Sequence, residues 1–284
     1  MNQELESFIG NLKGLPTSPG VLVRLVTLFQ KPDRDIDDVA KLIRQDPSLA
    51  AGVLRHANSA SFGAEEPIGD VHDAIAWVGF GQVYQAVMTK LAAQSLQLAK
   101  GTNGIDADQL WQHSAIAAVC ATAIAKQVHE NESMAFTAGL LHDIGKVVLS
   151  LADGATYKKL LATAGSGGSL LQEAETSFFG FGHAEVGACL LQRWGLPEEV
   201  CKPVLYHHRA CPDQSFERIC AVVSLGNIMA HAAVETATDG HYDSLDAAYA
   251  MKILQLEKND LTTLLDRSQD DIKQMMESFS PAKQ

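Results

Sequence analysis

The segment LLHDIGKVV, residues 140–148, sets a histidine and an aspartate side by side in an otherwise apolar, helix-forming run. Imidazole and carboxylate are ligands that suit Fe, Mn, Ni or Zn. The first chemistry to consider is therefore a divalent metal site. Adjacent side chains on a regular helix do not share a face. His142 and Asp143 can still reach one ion lying off the helix between their two directions, with Gly139 and Gly145 leaving space beside them. A third ligand, such as His113, has to come from a separate helix.

The chain carries ten histidines. His113, His142, His183, His207 and His208 fall near apolar helical positions of the second half, and His129 falls at a helix end. A lone helical histidine such as His113 is ordinarily a hydrogen-bonded residue. His207-His208 on its own fits a helix C-terminus, where imidazole interacts favourably with the dipole. Taken together with Asp143, the five argue for a metal cluster, because burying that many imidazoles without partners costs stability.

The elements that must position these groups read as helices. Apolar residues recur with helical period almost everywhere, and strand alternation is almost absent. Helices are expected over 18–29, from about 35, over 47–58, 71–77, 82–98 and 107–128, then through the HDIGK segment. Further ones follow from Gly154 to about 164, and over 184–194, 198–206, 215–233, 244–254 and 258–276. Ser18-Pro19 opens the first of these and Pro32 stops it. NSASFG at 58–63 and GSGGS at 165–169 read as loops. LAKGTNGID at 98–106 reads as a break between two helical lobes, 1–100 and 105–284.

Composition sets outer limits. Hydrophobic residues are 46%, charged residues 20% and aromatics 6% of 284 residues, ordinary for a globular protein and weighted toward helix. A net charge of -12 repels a nucleic-acid backbone, so direct nucleic-acid binding is not expected. The acidic N-terminus, MNQELESFIG, lacks the pattern of a signal peptide. No apolar run is read as long enough to span a bilayer, and the expected location is the cytoplasm. Five cysteines without a C-x-x-C read as reduced, small core residues.

The order His113, His142-Asp143, HAEVG from His183, WGLP at 194–197 and YHH at 206–208 resembles the HD superfamily of metal-dependent phosphohydrolases. The first lobe is more specific. LPTSPGVLVRLVTLF, then DVAKLIRQDPSLAAGVLRHANSASFG and DAIAWVGFGQV, resembles the HDOD family, the HD-related output domain of bacterial signalling proteins. The likeness covers about residues 15–231. It implies an all-α, two-lobed helical HDOD fold with an HD-like C-terminal lobe.

The resemblance also implies a ligand set. His113, His142 and Asp143 match the first three metal ligands of HD phosphohydrolases, and the position of the fourth, an aspartate in that family, falls on Asn227. His183, His207 and His208 match residues that help to hold a second metal in the HD-GYP branch. Asp143 and Lys146 match catalytic positions, Lys146 as a group that can approach a substrate phosphate. The HH pair is followed by RACPDQS and not by GYP, which removes the specific support for cyclic di-GMP hydrolysis. Two readings follow. One is a stand-alone bacterial signalling output module with divalent metal, binding a signalling protein or a nucleotide, with the NSASFG loop and the groove between lobes as contact surfaces. The other is a metal-dependent phosphohydrolase acting on a nucleotide or other phosphoester.

Overall fold

Asp46 accepts hydrogen bonds from the amides of Ser48 and Leu49 at 2.8 and 3.2 Å, and Pro47 stands at the first helical position. Such an N-cap contributes about 1 kcal/mol, and it fixes where the helix begins. Asp35, Asp70 and Asp106 act in the same way. The computed structural model describes residues 3–12, 15, 20–31, 33–64, 66–96, 104–164, 168–234, 242 and 244–279.

Among the described residues there is no strand. The α-helices in chain order are α1 (Gln3–Asn11), α2 (Gly20–Phe29), α3 (Ile36–Arg44), α4 (Pro47–Ala57), α5 (Val71–Val78), α6 (Phe80–Leu96), α7 (Ala107–Val128), α8 (Glu132–Leu141) and α9 (Ile144–Ala152). They continue as α10 (Gly154–Ala164), α11 (Gly168–Phe179), α12 (His183–Arg193), α13 (Glu198–Tyr206), α14 (Glu217–Val234), α15 (Leu245–Leu254), α16 (Lys258–Arg267) and α17 (Gln269–Phe279). The expected start at Ser18-Pro19, the stop at Pro32, most of the 98–106 break and the first three residues of GSGGS lie outside the described residues.

The chain divides into two units, one of residues 18–94 and one of residues 1–17 with 95–284. In the smaller unit, Asn58 explains much of the ANSASFG motif. Its Nδ2 donates to the Leu54 and Ile68 carbonyls at 2.8 and 2.9 Å, and its Oδ1 accepts from the Ile68 amide at 2.8 Å. One side chain thus ties the end of α4 to the strand-less segment leading into α5. Gly63 takes the left-handed conformation (φ 58°) that closes this turn. Trp77 Nε1 donates to the Phe62 carbonyl, and His56 packs edge-on to the Phe62 ring.

The larger unit includes α1, which the sequence reading leaves as a tail of the first lobe. Phe8 stacks on Phe181 with centroids 5.8 Å apart, and Arg193 donates to the Glu6 carbonyl. At its centre α7 lies between α8 and α14. A Cβ on Gly226 would meet the Ala117 carbonyl oxygen at 2.9 Å, so only glycine lets α14 come this close to α7. The C-terminal helices pack on this unit: Ala247, Ala250, Leu254, Leu261, Leu264 and Leu265 share one core cluster with Ile116, Cys120 and Ile124 of α7. All five cysteines are free and buried, as expected.

One expectation fails on inspection of the middle of this unit. The stretch Glu132–Ala152 is 21 residues long and, by length and hydropathy alone, apolar enough to cross a membrane. It escapes notice because His142, Asp143 and Lys146 interrupt it. Within the fold, 94% of its most apolar window is buried, and the stretch is broken in two between α8 and α9.

Candidate metal centre

The break falls on the His142-Asp143 pair. His142 still has helical angles, but Asp143 turns to φ -97°, ψ 7° before α9 begins. The sequence reading sets both residues on one continuous helix, where neighbours diverge. The turn removes that constraint, and both side chains point into the same space. Contrary to expectation, Gly145 leaves no room beside the pair; it lets α9 touch α12. A Cβ there would collide with the His183 carbonyl oxygen and lie 2.7 Å from the Gly187 amide nitrogen. That contact brings His183, the first residue of α12, up to the pair.

Asp143 stands at the centre, 1% exposed. Its Oδ2 lies 3.3 Å from His142 Nε2 and 3.8 Å from His113 Nε2, and accepts from Lys146 Nζ at 2.7 Å. Its Oδ1 lies 3.4 Å from His183 Nε2 and 3.8 Å from His207 Nε2. His113 of α7 approaches His142 at 3.2 Å (Nε2 to Nε2) and Asn227 Oδ1 of α14 at 2.9 Å. His183 Nε2 lies 3.3 Å from His207 Nε2 and 3.1 Å from His208 Nε2. The donors thus form two groups that share one carboxylate: His113, His142, Asn227 and Asp143 Oδ2, then His183, His207, His208 and Asp143 Oδ1. Each residue expected at a metal site is in one of them. His207 and His208 do end α13, but they face the cluster.

The tautomers decide what these distances mean. His142 Nδ1 donates to the Gly139 carbonyl at 2.7 Å and His207 Nδ1 to the Val204 carbonyl at 2.7 Å. His183 Nδ1 donates to Glu175 Oε2 at 2.6 Å. With Nδ1 protonated, each Nε2 offers only a lone pair. Two lone pairs 3.3 Å apart cannot hydrogen-bond, so the arrangement asks for a cation between them. The buried Asp143 Oδ1 likewise accepts no hydrogen bond. Two nitrogens bound to one ion at ordinary metal–nitrogen lengths stand about 3.0–3.4 Å apart, which the observed spacings match. These residues fit a pair of divalent cations.

Electrostatics agree. Burial, then neighbouring imidazoles, push His113, His207 and His208 well below the usual histidine range, which keeps them neutral and ready to ligate. Burial alone would raise Asp143, but the imidazole of His142 and the ammonium of Lys146 against it outweigh that and hold the carboxyl well below its usual range.

Three further residues escape the sequence reading. His231 stacks on His113 with centroids 4.4 Å apart. Glu175 of α11 and Tyr157 of α10 are fully buried, and Tyr157 donates its hydroxyl to Glu175 Oε1 at 2.5 Å. Glu175 follows Leu171 by four residues and shares its buried face of α11. A cavity of about 320 Å³ opens onto Asp143, Lys146, His113 and His231, with Leu110, Leu161 and Val234 among its apolar walls.

The sequence pattern of the HDOD domain matches residues 15–210. An uncharacterized protein of Treponema pallidum (strain Nichols) is 27% identical over 226 residues, 78% of this chain and 43% of that protein. Ribonuclease Y of Acholeplasma laidlawii (strain PG-8A) is 26% identical over 192 residues, 67% of this chain and 29% of that enzyme. The chain thus spans less than half the length of either curated relative. An HDOD domain protein structure from Geobacter sulfurreducens superposes with a TM-score of 0.77 at 27% identity, covering 97% of each chain. A provisionally named phosphohydrolase from Shewanella amazonensis SB2B reaches 0.75 at 20% identity, over 98% of each, and shares the fold.

Proposed function

The chain belongs to the HDOD domain family, and from that premise we propose that it is a signal-transduction output module holding divalent cations in its larger unit, acting by binding a partner protein or a nucleotide. The observation that carries the cation reading is the convergence of imidazole lone pairs on the two oxygens of Asp143, with tautomers fixed by Gly139, Val204 and Glu175. Asn227 favours binding over turnover. A neutral amide oxygen stands where the HD hydrolases carry a carboxylate, so the donor groups contribute a single formal negative charge from Asp143.

The cavity gives a second reading its footing. It reaches the shared carboxylate and Lys146, whose ammonium is chemically suited to a phosphate oxygen, while Leu110, Leu161 and Val234 give it an apolar wall. When bound, a divalent cation supplies charge stabilisation to a phosphoryl group and lowers the pKa of water. A phosphohydrolase acting on a nucleotide or other small phosphoester is the reading this cavity favours. Likeness to an enzyme named ribonuclease Y supports phosphoester chemistry. The net charge of -12 argues for a small substrate over a polynucleotide.

Elemental mass spectrometry on the wild type and His142→Ala, purified anaerobically, tests the shared premise. One to two equivalents of Fe, Mn, Ni or Zn, reduced in the variant, are expected; negligible metal in the wild type refutes it. Multiple turnovers on any nucleotide or phosphoester, lost in Asp143→Ala, would then decide for the hydrolase.

A further inference from the structure

The two donor groups are not equivalent, and the difference lies outside the ligands themselves. The His113 group has Lys146 against its carboxylate oxygen, at 2.7 Å from Asp143 Oδ2. A cation there competes with an ammonium for that oxygen and finds a neutral amide at Asn227. Among the described residues, no such cation stands against Oδ1 in the His183 group. Beside it sits a second buried carboxylate, Glu175, with Oε2 at 2.6 Å from His183 Nδ1 and 2.7 Å from the His183 amide.

Glu175 is itself tightly held. It is 0% exposed, its other oxygen accepts from Tyr157, and it sits on α11 facing the start of α12. His142 and His207, by contrast, donate to neutral backbone carbonyls three residues earlier in their own segments. Only His183 among these three is oriented by an anion. A carboxylate behind a ligating imidazole makes the ring a stronger base and fixes its direction. It also adds a second negative charge beside the His183 group.

Resting on the reading that this cluster holds divalent cations, we propose that the His183–His207–His208 group is the tighter of two cation sites, and that Glu175, held by Tyr157, is the positioning residue that makes it so. The order is set by the surroundings: an anion behind one group, an ammonium and an amide at the other. Glu175 touches neither the cation nor the cavity and acts through His183.

The test is a titration of the full-length, chelator-stripped protein with Co²⁺, followed by visible absorption and by calorimetry. The wild type should show a tight and a weak class. His113→Ala should lose the weak class and keep the tight one. Glu175→Gln retains the shape, with its oxygen accepting from His183 and its amide donating to a reoriented Tyr157 hydroxyl, but not the charge, and should weaken the tight class by about 10- to 100-fold with no comparable weakening of the weak class. A tight class that disappears in His113→Ala, or Glu175→Gln with both affinities as in the wild type, overturns the proposal. Should Glu175→Gln fail to fold, Tyr157→Phe decides: a tight class weakened several-fold supports it, and an unchanged one overturns it. A wild type that takes up no Co²⁺ refutes the cation reading itself; two classes with an indifferent Glu175→Gln refute only the assignment made here.

Discussion

His183 Nε2 and His207 Nε2 lie 3.3 Å apart with their lone pairs facing, because each ring has already committed its Nδ1 proton elsewhere. In a cation-free protein this contact is repulsive and the surrounding helices hold it together. We predict that chelation lowers the melting temperature and that a divalent cation restores it, by about 2.7 kcal/mol at a hundredfold excess over Kd. Scanning fluorimetry with and without chelator measures this. A melting temperature indifferent to both would contradict the cation reading.

Asn227→Asp should separate ligation from stability. Its Oδ1 already lies 2.9 Å from His113 Nε2. A carboxylate there adds a charge-assisted donor to the His113 group, and cation affinity at that group should rise about tenfold, equivalent to about 1.4 kcal/mol. Without metal, the same variant holds two buried carboxylates near one another and should melt below the wild type. Calorimetric titration and melting of the stripped protein together check the pair of opposite effects.

Gly145→Ala should damage the site without touching a ligand. The added methyl would run into the His183 carbonyl and the Gly187 amide, both backbone, so α9 and α12 must part. Overpacking of this kind costs about 1–3 kcal/mol or more. The expected signature is a lower urea midpoint together with reduced metal content. A variant of wild-type stability that loads fully would show that the contact is not needed.

His56 should give the smaller unit a pH dependence. Burial lowers its pKa from 6.5, opposed by a hydrogen bond with Gln82. The unfolded chain therefore takes up the proton first as pH falls. Stability from neutral His56 is complete above about 6.5 and is lost as pH drops toward the lower folded value. His113, His207 and His208 add the same sign in stripped protein. The difference between wild type and His56→Gln isolates the residue. Urea midpoints from pH 7.5 to 5 should fall more steeply in the wild type, and parallel curves would refute the assignment.

The sequence made the helices around the site readable where caps were strong. Asp106 ahead of a long alanine-rich run defines 107–128, and the apolar phase of 198–206 is clean. It misplaced the feature that matters most. LLHDIGKVV has helical composition throughout, and nothing local announces that Asp143 leaves the helix; the turn is set by the contact of Gly145 with α12, which is tertiary. The 258–276 segment also splits, at Ser268, whose amide and hydroxyl both return to the Leu264 carbonyl. Glu175 went unread because α11 was not expected, so its position on an apolar face had no phase to be judged against. The candidate ligands themselves were legible because histidine is uncommon on apolar helix faces and stands out there.

One carboxylate serving both donor groups has a consequence for how they fill. Each cation that draws electron density from Asp143 leaves less for the other, and the two cations repel across a short distance. Loading should be anticooperative in plain buffer. An anion able to span both positions reverses the sign, since it supplies the charge that Asp143 alone lacks. Cation and anion uptake are then thermodynamically linked, each raising the affinity for the other by the same factor. On the proposed cation reading, the two donor groups would fill completely only when a divalent cation and a phosphate-like anion are present together.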